Sequence, residues 1–193
     1  MPLAILVAYA LGSVPFALIL ARRAGADLRR VGSGNLGATN VVRATGMKVG
    51  VLVALLDIAK GAGSVALAGR LTDNPAGPAL AGIAAIVGHV YPAWLRFRGG
   101  KGVATACGVF SVLTPVALPP ALAIFVASVW ATKYISLGSV LATLALPPLA
   151  YATGSPASVV FAACAAAVLV IFRHRSNLAR VKAGTERRLG ARA

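Results

Sequence analysis

A glycine-rich polar segment between two long apolar stretches is the first part of the sequence whose residue types could bind an anion. It runs from residue 32 to residue 43 and combines glycines with hydroxyl, amide and guanidinium side chains. Glycines let backbone N–H groups approach an anion closely, and Arg43 adds a forked cation that suits phosphate. A flexible turn would rarely concentrate these types. We therefore predict phosphate binding by Ser33, Gly34, Asn35, Gly37, Thr39, Asn40 and Arg43.

A second segment, Gly99-Gly100-Lys101-Gly102, is more typical of a phosphate-binding loop than of a linker. We expect it to begin a helix, and the unbonded N–H groups at a helix N-terminus attract anions. The spacing of a Walker A loop is absent. A basic anchor at the membrane surface is the alternative, but Arg96 and Arg98 alone would serve that purpose.

A third polar segment near the C-terminus contains His174, Asn177 and Glu186. His174 and Asn177 share one face if the segment is helical, because they are three positions apart. His174 could be a catalytic base or a structural residue, and both interpretations stay open. Glu186 is the only glutamate in the chain. We expect it to pair with an arginine and to support the site without taking part in the chemistry.

Asp57, Lys60 and His89 are ionisable residues inside predicted membrane helices. Such residues are costly in a bilayer and commonly mark function. Asp57 and Lys60 can face each other on a helix, either as a supporting ion pair or as direct participants. For His89 we expect support by hydrogen bonding more than ligation of a substrate.

No pattern for covalent catalysis, a metal or a cofactor accompanies these segments. The sequence contains no G-x-S-x-G nucleophile elbow and no H-E-x-x-H motif. Neither histidine is followed five positions later by aspartate, so the HxxxxD pattern of better-known glycerolipid acyltransferases is missing. Cys107 and Cys164 give no support for a disulfide or a metal site. We predict no metal and no cofactor.

The composition indicates a membrane protein. Apolar residues make up 59% of the 193 residues and charged residues 12%, against roughly 45–50% and about 25% in soluble domains. Most of the chain divides into stretches near the ~20 residues that a spanning helix needs. We predict one membrane-embedded domain, residues 1–193, folded as an all-α bundle of about seven transmembrane helices. The expected spans are residues 3–21, 49–69, 76–95, 135–153 and 156–172, with a proline-interrupted run at 103–132.

The distribution of Lys and Arg predicts the orientation. If residues 103–132 form two short crossings or a re-entrant hairpin, all 19 basic residues except Arg70 and Lys60 fall on one side. Cytoplasmic loops carry the excess of basic residues, so we predict an external N-terminus, a cytoplasmic C-terminus and three polar segments on the cytoplasmic face. The net charge of +15 then matches lipid headgroups and phosphorylated substrates, and we expect no nucleic-acid partner.

Taken together, these motifs resemble those of the bacterial PlsY family of membrane acyl-phosphate:glycerol-3-phosphate acyltransferases. The resemblance rests on residues 32–40, 57–61, 88–102 and 174–186, in that order along the chain. It covers nearly the whole sequence and leaves all three family motifs intact.

The resemblance implies a seven-helix bundle in the bacterial cytoplasmic membrane, with a cytoplasmic-side site that makes 1-acyl-glycerol 3-phosphate for phospholipid biosynthesis. It implies acyl phosphate as the donor, glycerol 3-phosphate as the acceptor, and no obligate protein partner. By the same resemblance Ser33 and Arg43 are catalytic and the 99–102 loop binds glycerol 3-phosphate. His174 and Asn177 then belong to the active site, and Glu186 is structural.

The residue types suit this chemistry. An acyl phosphate is already activated, so the glycerol hydroxyl can attack the acyl carbon without an enzyme nucleophile. Its proton could pass to a substrate phosphate, whose second pKa is about 6, or to His174, and the sequence leaves both open. Loop N–H groups, Ser33 or Lys101 could stabilise the oxyanion, and Lys101 and Arg43 would neutralise the departing phosphate.

A small transporter or channel for phosphorylated solutes is the alternative function. Transporters place polar groups near the bilayer midplane, often within inverted repeats. This sequence shows no convincing internal repeat, and its polar groups cluster towards one face.

Overall fold

The computed structural model describes residues 1–190, and within them the chain forms helices and connecting turns without a strand. This confirms the all-α prediction. The helices are α1 (Pro2–Gly12), α2 (Phe16–Arg23), α3 (Ala38–Thr45), α4 (Met47–Leu71), α5 (Gly77–Val90), α6 (Val103–Leu113), α7 (Leu118–Thr132), α8 (Ile135–Ala152) and α9 (Ala157–Lys182), with a 3-10 turn at Ala93–Leu95.

Among the described residues, five helical stretches have the length and apolar composition needed to cross a membrane. They are Pro2–Arg23, Met47–Leu71, Gly77–Leu95, Ile135–Ala152 and Ala157–Lys182. The apolar helices α6 and α7 are shorter. A multi-pass helical membrane protein is therefore the architecture that these helices support.

The first predicted span, residues 3–21, is broken into α1 and α2 near Pro15. Proline has no N–H group and disfavours helical geometry in the residue before it, so Val14 cannot continue the helix. The break leaves the Val14 carbonyl outside helical geometry, where it accepts a hydrogen bond from Lys60 Nζ at 3.0 Å. A sequence-encoded break thus supplies a polar group to the membrane interior.

The run at 103–132 is split as its prolines predicted. Residues 114–117 separate α6 from α7. Pro119 and Pro120 fall in the first turn of α7, where their missing N–H groups cost little. The last helix differs from the prediction, because α9 continues past residue 172 to Lys182. Its final turns are rich in Arg, Leu, Ala and Lys, which favour helix, so His174 and Asn177 lie within it.

The first of two compact units comprises Met1–Val112. In it α1 packs on α4 and α5, and α3 and α5 both pack on α4. Glycines bring α4 and α6 into backbone contact: a side chain at Gly61 would meet the Thr105 carbonyl, and one at Gly108 would meet the Ile58 carbonyl. Small residues permit such close packing of membrane helices. The helix that follows the glycine loop is thereby held against the helix that carries Asp57 and Lys60.

The second unit begins at Leu113 and contains α7, α8 and α9. Both α7 and α9 pack on α8. A hydrogen bond of 2.8 Å between Thr114 Oγ1 and Ser155 Oγ joins the turn before α7 to the turn before α9. At the other end of these helices, the Leu189 N–H donates to the Lys133 carbonyl at 2.7 Å.

Candidate functional site

Asn40 organises the first polar segment. Its side chain is buried, and its amide nitrogen donates to the carbonyls of Leu28 at 3.2 Å and Val31 at 3.1 Å. Its amide oxygen accepts the Ser33 backbone N–H at 3.1 Å. Both amide hydrogens are therefore engaged by the loop. The Asn40 side chain thus shapes the loop around Ser33, and its contact with phosphate stays a prediction.

Glycine conformation places Ser33 and Arg43 near each other. Gly32 and Gly34 adopt φ angles of 63° and 66°, which favour glycine. A Cβ on Gly32 would collide with Asn40 Oδ1 and would lie 3.9 Å from Arg43 Cδ. The exposed Ser33 therefore stands in a tight turn beside the exposed Arg43 side chain.

The remaining predicted ligands of this segment surround the start of α3. Gly37 is the N-cap, and no side chain caps the helix there. Asn35 Oδ1 would be 3.2 Å from a Cβ on Gly37, and Thr39 occupies the first turn. Uncapped N–H groups at a helix start favour an anion.

The second segment begins α6 as predicted, but its first two glycines use their N–H groups internally. The Gly99 N–H donates to the Val90 carbonyl at 3.0 Å, and the Gly100 N–H donates to the His89 carbonyl at 3.1 Å. These bonds fasten the loop to the C-terminal end of α5. The phosphate contacts of Gly99, Gly100 and Gly102 stay predictions, and the N–H groups at the start of α6 are further candidates.

Asp57, Lys60 and His89 form a buried polar cluster below this loop. Lys60 Nζ lies 2.7 Å from Asp57 Oδ1 and 2.9 Å from His89 Nδ1, and the Lys60 and Asp57 side chains are only 5% and 3% exposed. The contact with Asp57 is a buried ion pair. Opposite charges offset one another where desolvation is most costly. This geometry suits the predicted supporting role.

A small cavity in the first unit connects the cluster to both glycine-rich segments. Asp57, Lys60 and His89 line it together with Leu36 of the first segment. The rest of its lining comprises Ser13, Val14, Pro15, Phe16, Ala17, Pro92, Leu95, Gly99 and Gly100. The structure thus brings the first two predicted segments and the embedded ionisable residues together.

The third segment lies in the second unit, on and after α9. His174 is 2% exposed, and its Nδ1 lies 2.8 Å from the Val170 carbonyl one turn earlier. A carbonyl can only accept, so His174 Nδ1 carries the hydrogen of this bond. Asn177 is also buried, one turn further along α9.

Glu186 closes a hydrogen-bond network around the end of α9. Its Oε1 accepts from Asn177 Nδ2 at 2.6 Å and from Ser136 Oγ at 2.9 Å, and its Oε2 accepts from Arg180 Nε at 2.7 Å. The carboxylate therefore ties two positions of α9 to the first turn of α8. Pairing with an arginine is what the sequence predicted, whereas Ser136 carried no signal beyond being a polar residue at a helix start.

Gly184 turns the chain so that Glu186 can reach α9. Gly184 has a φ of 70°. Its N–H donates to the Val181 carbonyl at 3.1 Å, and the Thr185 N–H donates to the Arg180 carbonyl at 2.9 Å. These two bonds form a Schellman motif, which ends a helix and reverses the chain. The Gly-Thr-Glu sequence is thus a helix stop followed at once by the network carboxylate.

Sequence reasoning missed the residues that anchor the start of the 91–98 connection. Tyr9 Oη donates to the Tyr91 carbonyl at 2.8 Å and accepts the Ala93 N–H at 3.0 Å. Trp94 Nε1 donates to the Ser13 carbonyl at 3.1 Å. A tyrosine inside the first predicted span and a tryptophan near the end of the third were the available signal, but only the fold shows their partners.

The Glu186 network yields a prediction about stability. Burial favours protonation of Glu186, but hydrogen bonds from Asn177, Arg180 and Ser136 and the charge of Arg180 outweigh it and lower the pKa below the ordinary 4.5. We expect Glu186→Gln to cost about 2 kcal/mol of stability at pH 7, because one or more charge-assisted bonds are lost. Thermal unfolding of purified protein measures this effect.

The pH dependence and a matched variant test the cause. A lowered folded-state pKa means that the carboxylate stabilises the fold above the unfolded pKa and stops doing so as the pH falls through the folded value. The difference between native and Glu186→Gln protein should therefore shrink in acid. Asp27→Asn, which removes the exposed 3.4 Å pair with Arg30, should change little. A folded but inactive Glu186→Gln protein of native stability would contradict a structural role.

Comparisons with known proteins agree with this geometry. The family model described as glycerol-3-phosphate acyltransferase matches residues 2–184. Glycerol-3-phosphate acyltransferases of Syntrophotalea carbinolica and Geobacter sulfurreducens are 45% and 46% identical to this chain, over 97% and 96% of it and 96% and 95% of their own lengths.

Two crystal structures of PlsY (YgiH), an integral membrane glycerol 3-phosphate acyltransferase, share the fold. The glycerol 3-phosphate form has a TM-score of 0.93 at 39% identity, and the lysophosphatidic acid form has 0.91 at 38%. Each comparison covers 97% of this chain and 94% of that protein. Because the family model matches nearly the full length of this chain, the chain belongs to the glycerol-3-phosphate acyltransferase family.

Proposed function

We propose that this protein transfers a fatty acyl group from an acyl phosphate to glycerol 3-phosphate, giving 1-acyl-glycerol 3-phosphate and inorganic phosphate. Its family membership establishes an acyltransferase that acylates glycerol 3-phosphate in phospholipid biosynthesis. The match across residues 2–184 is the observation that carries the function. The same match favours an acyltransferase over the alternative of a transporter for phosphorylated solutes.

The acyl-phosphate donor is supported by the chemistry of the segments. Two glycine-rich segments with Arg43 and Lys101 suit two phosphorylated substrates better than one. A mixed anhydride already has a good leaving group, so the acceptor hydroxyl can form the new ester bond as the acyl–phosphate bond breaks. The sequence contains no nucleophile elbow for an acyl-enzyme.

Each predicted residue takes a role in this proposal. Arg43 and Lys101 bind phosphate and balance the charge that develops on the leaving group, and Ser33 hydrogen-bonds the reacting groups. His174 and Asn177 belong to the active site, and Glu186 holds the Asn177 amide in place. The uncharged residues proposed to bind the substrates are Gly34, Asn35, Gly37, Thr39, Asn40, Gly99, Gly100 and Gly102.

An activity assay with two donors tests the function. Purified protein should form lysophosphatidic acid from glycerol 3-phosphate with acyl phosphate and not with acyl-CoA. Arg43→Ala and Lys101→Ala should each lower kcat/KM by about 10²–10³-fold, the range for loss of one charge-stabilising group. Lys48→Ala removes an exposed cation at the start of α4 and serves as the control. Equal use of acyl-CoA, or near-native activity of both variants, would refute the proposal.

The identity of the base is tested by the pH profile of His174→Gln. If a substrate phosphate takes the proton, this variant should retain measurable activity and an ionisation near the phosphate's second pKa of about 6. If His174 is the base, kcat should fall by about 10²–10⁴-fold and that ionisation should disappear. We expect the first outcome, because a phosphate must lie beside the reacting hydroxyl. The whole profile must be compared with the native one, since both groups titrate near neutrality.

We also propose a single functional domain in the bacterial cytoplasmic membrane, with about seven crossings, the N-terminus outside and the site on the cytoplasmic side. The concentration of basic residues in the connections after α2, α5 and α9 supports this orientation. The bond between Thr114 and Ser155 also supports it, because it joins two turns that the proposal assigns to the external side. Two short crossings and a re-entrant hairpin at α6–α7 give the same sidedness.

Cysteine labelling tests the orientation. In a background with Cys107 and Cys164 changed to alanine, Asp73→Cys should react with an impermeant maleimide from outside intact cells, and Ala183→Cys should react only after permeabilisation. Both positions are exposed. If residues 103–132 crossed only once, both cysteines would lie on the same side, and the proposed topology would be wrong.

A further inference from the structure

We propose that His89 is a positioning residue for catalysis, whose ring sets the location of Gly100 and thereby of Lys101 and the start of α6. The proposal rests on the function above, because it assigns the 99–102 loop to substrate phosphate. It concerns residues of the first unit only and assigns His89 no contact with substrate.

The loop rests directly on the His89 side chain. A Cβ at Gly100 would collide with His89 Nε2 and crowd two ring carbons. The Gly100 N–H also donates to the His89 carbonyl at 3.1 Å. Side chain and main chain of one residue thus define the position of the same glycine. Protein interiors are close-packed, so the His89 ring prevents Gly100 from moving closer to α5.

The ring is held in turn by Lys60. A lysine ammonium has three hydrogens and no lone pair, so in the 2.9 Å contact with His89 Nδ1 the lysine must donate. Nδ1 is then the acceptor, and the neutral ring carries its hydrogen on Nε2, the atom nearest Gly100. Lys60 therefore determines both the orientation and the tautomer of His89.

Lys60 has fixed partners of its own. It donates to the Val14 carbonyl at 3.0 Å, at the break between α1 and α2, and it pairs with Asp57 at 2.7 Å. The order of contacts runs from Asp57 and Val14 through Lys60 and His89 to Gly100. Lys101 follows immediately in the chain, and a displacement of a catalytic group by about 1 Å can cost about 10²-fold in rate. The contacts that fix the position of Gly100, and so of Lys101, therefore affect the rate of the reaction.

A pair of double substitutions tests the contact. Gly100→Ala should lower kcat/KM by about 10²-fold, because the methyl group pushes the loop off the ring. His89→Ala removes that ring. The kcat/KM of Gly100→Ala/His89→Ala should therefore be at least tenfold higher than that of Gly100→Ala alone. Gly99→Ala is the matched control: its methyl group would meet the His89 and Val90 carbonyls, which His89→Ala leaves in place, so no activity should return.

Two further measurements separate positioning from general stability. At a temperature where the variant stays folded, His89→Ala alone should raise the KM for glycerol 3-phosphate or lower kcat. His89→Asn, which keeps an acceptor for Lys60, should recover part of the loss. Failure of His89→Ala to rescue Gly100→Ala, or equal rescue of Gly99→Ala, would overturn the proposal. If native protein acylates nothing, the proposed function fails, but the folded yield and Tm of the single and double variants of Gly99, Gly100 and His89 still test the contact.

Discussion

The buried charge of Lys60 is the interaction on which the first unit depends. An ammonium group inside a membrane helix must have partners, because its desolvation costs several kcal/mol. Three parts of the chain supply them: Asp57 from the same helix, the Val14 carbonyl from the break between α1 and α2, and His89 from α5. Satisfying one cation therefore fixes the arrangement of α1, α4 and α5 around the cavity, and the glycine loop rests on the last of these partners.

Several glycines in this protein allow a backbone segment to pack directly against another backbone or a side chain. Gly61 and Gly108 bring the backbones of α4 and α6 together, and Gly100 brings the loop onto a histidine ring. In the first segment, Gly32 leaves room for the Asn40 amide that ties the loop together. These contacts set the shape of the backbone on which the proposed phosphate-binding groups stand.

In the second unit a single carboxylate, that of Glu186, holds the helices together, as the Lys60 cation does in the first unit. Glu186 joins α8 to α9 and holds Asn177, one turn from His174. Because Gly184 ends α9 and reverses the chain, the carboxylate returns to the helix that it follows. In a chain with only four acidic residues, two are thus committed to holding polar side chains in place. In the proposed function, the chemistry is therefore assigned to cations, hydroxyl groups, His174 and the substrates' own phosphates.

The sequence by itself determined the helical membrane class, the proline breaks, the helix that begins after Gly102 and the family, because these depend on local composition, on backbone restrictions and on motif order. It also indicated that Asp57, Lys60, His89 and Glu186 support the site. Only the tertiary structure decided their partners. The engagement of Asn40 and of the Gly99 and Gly100 N–H groups, the capture of Lys60 by Val14, and the contact of Gly100 with His89 all join residues distant in the chain. Such contacts follow from how helices pack, and neither periodicity nor residue type specifies which donor meets which acceptor.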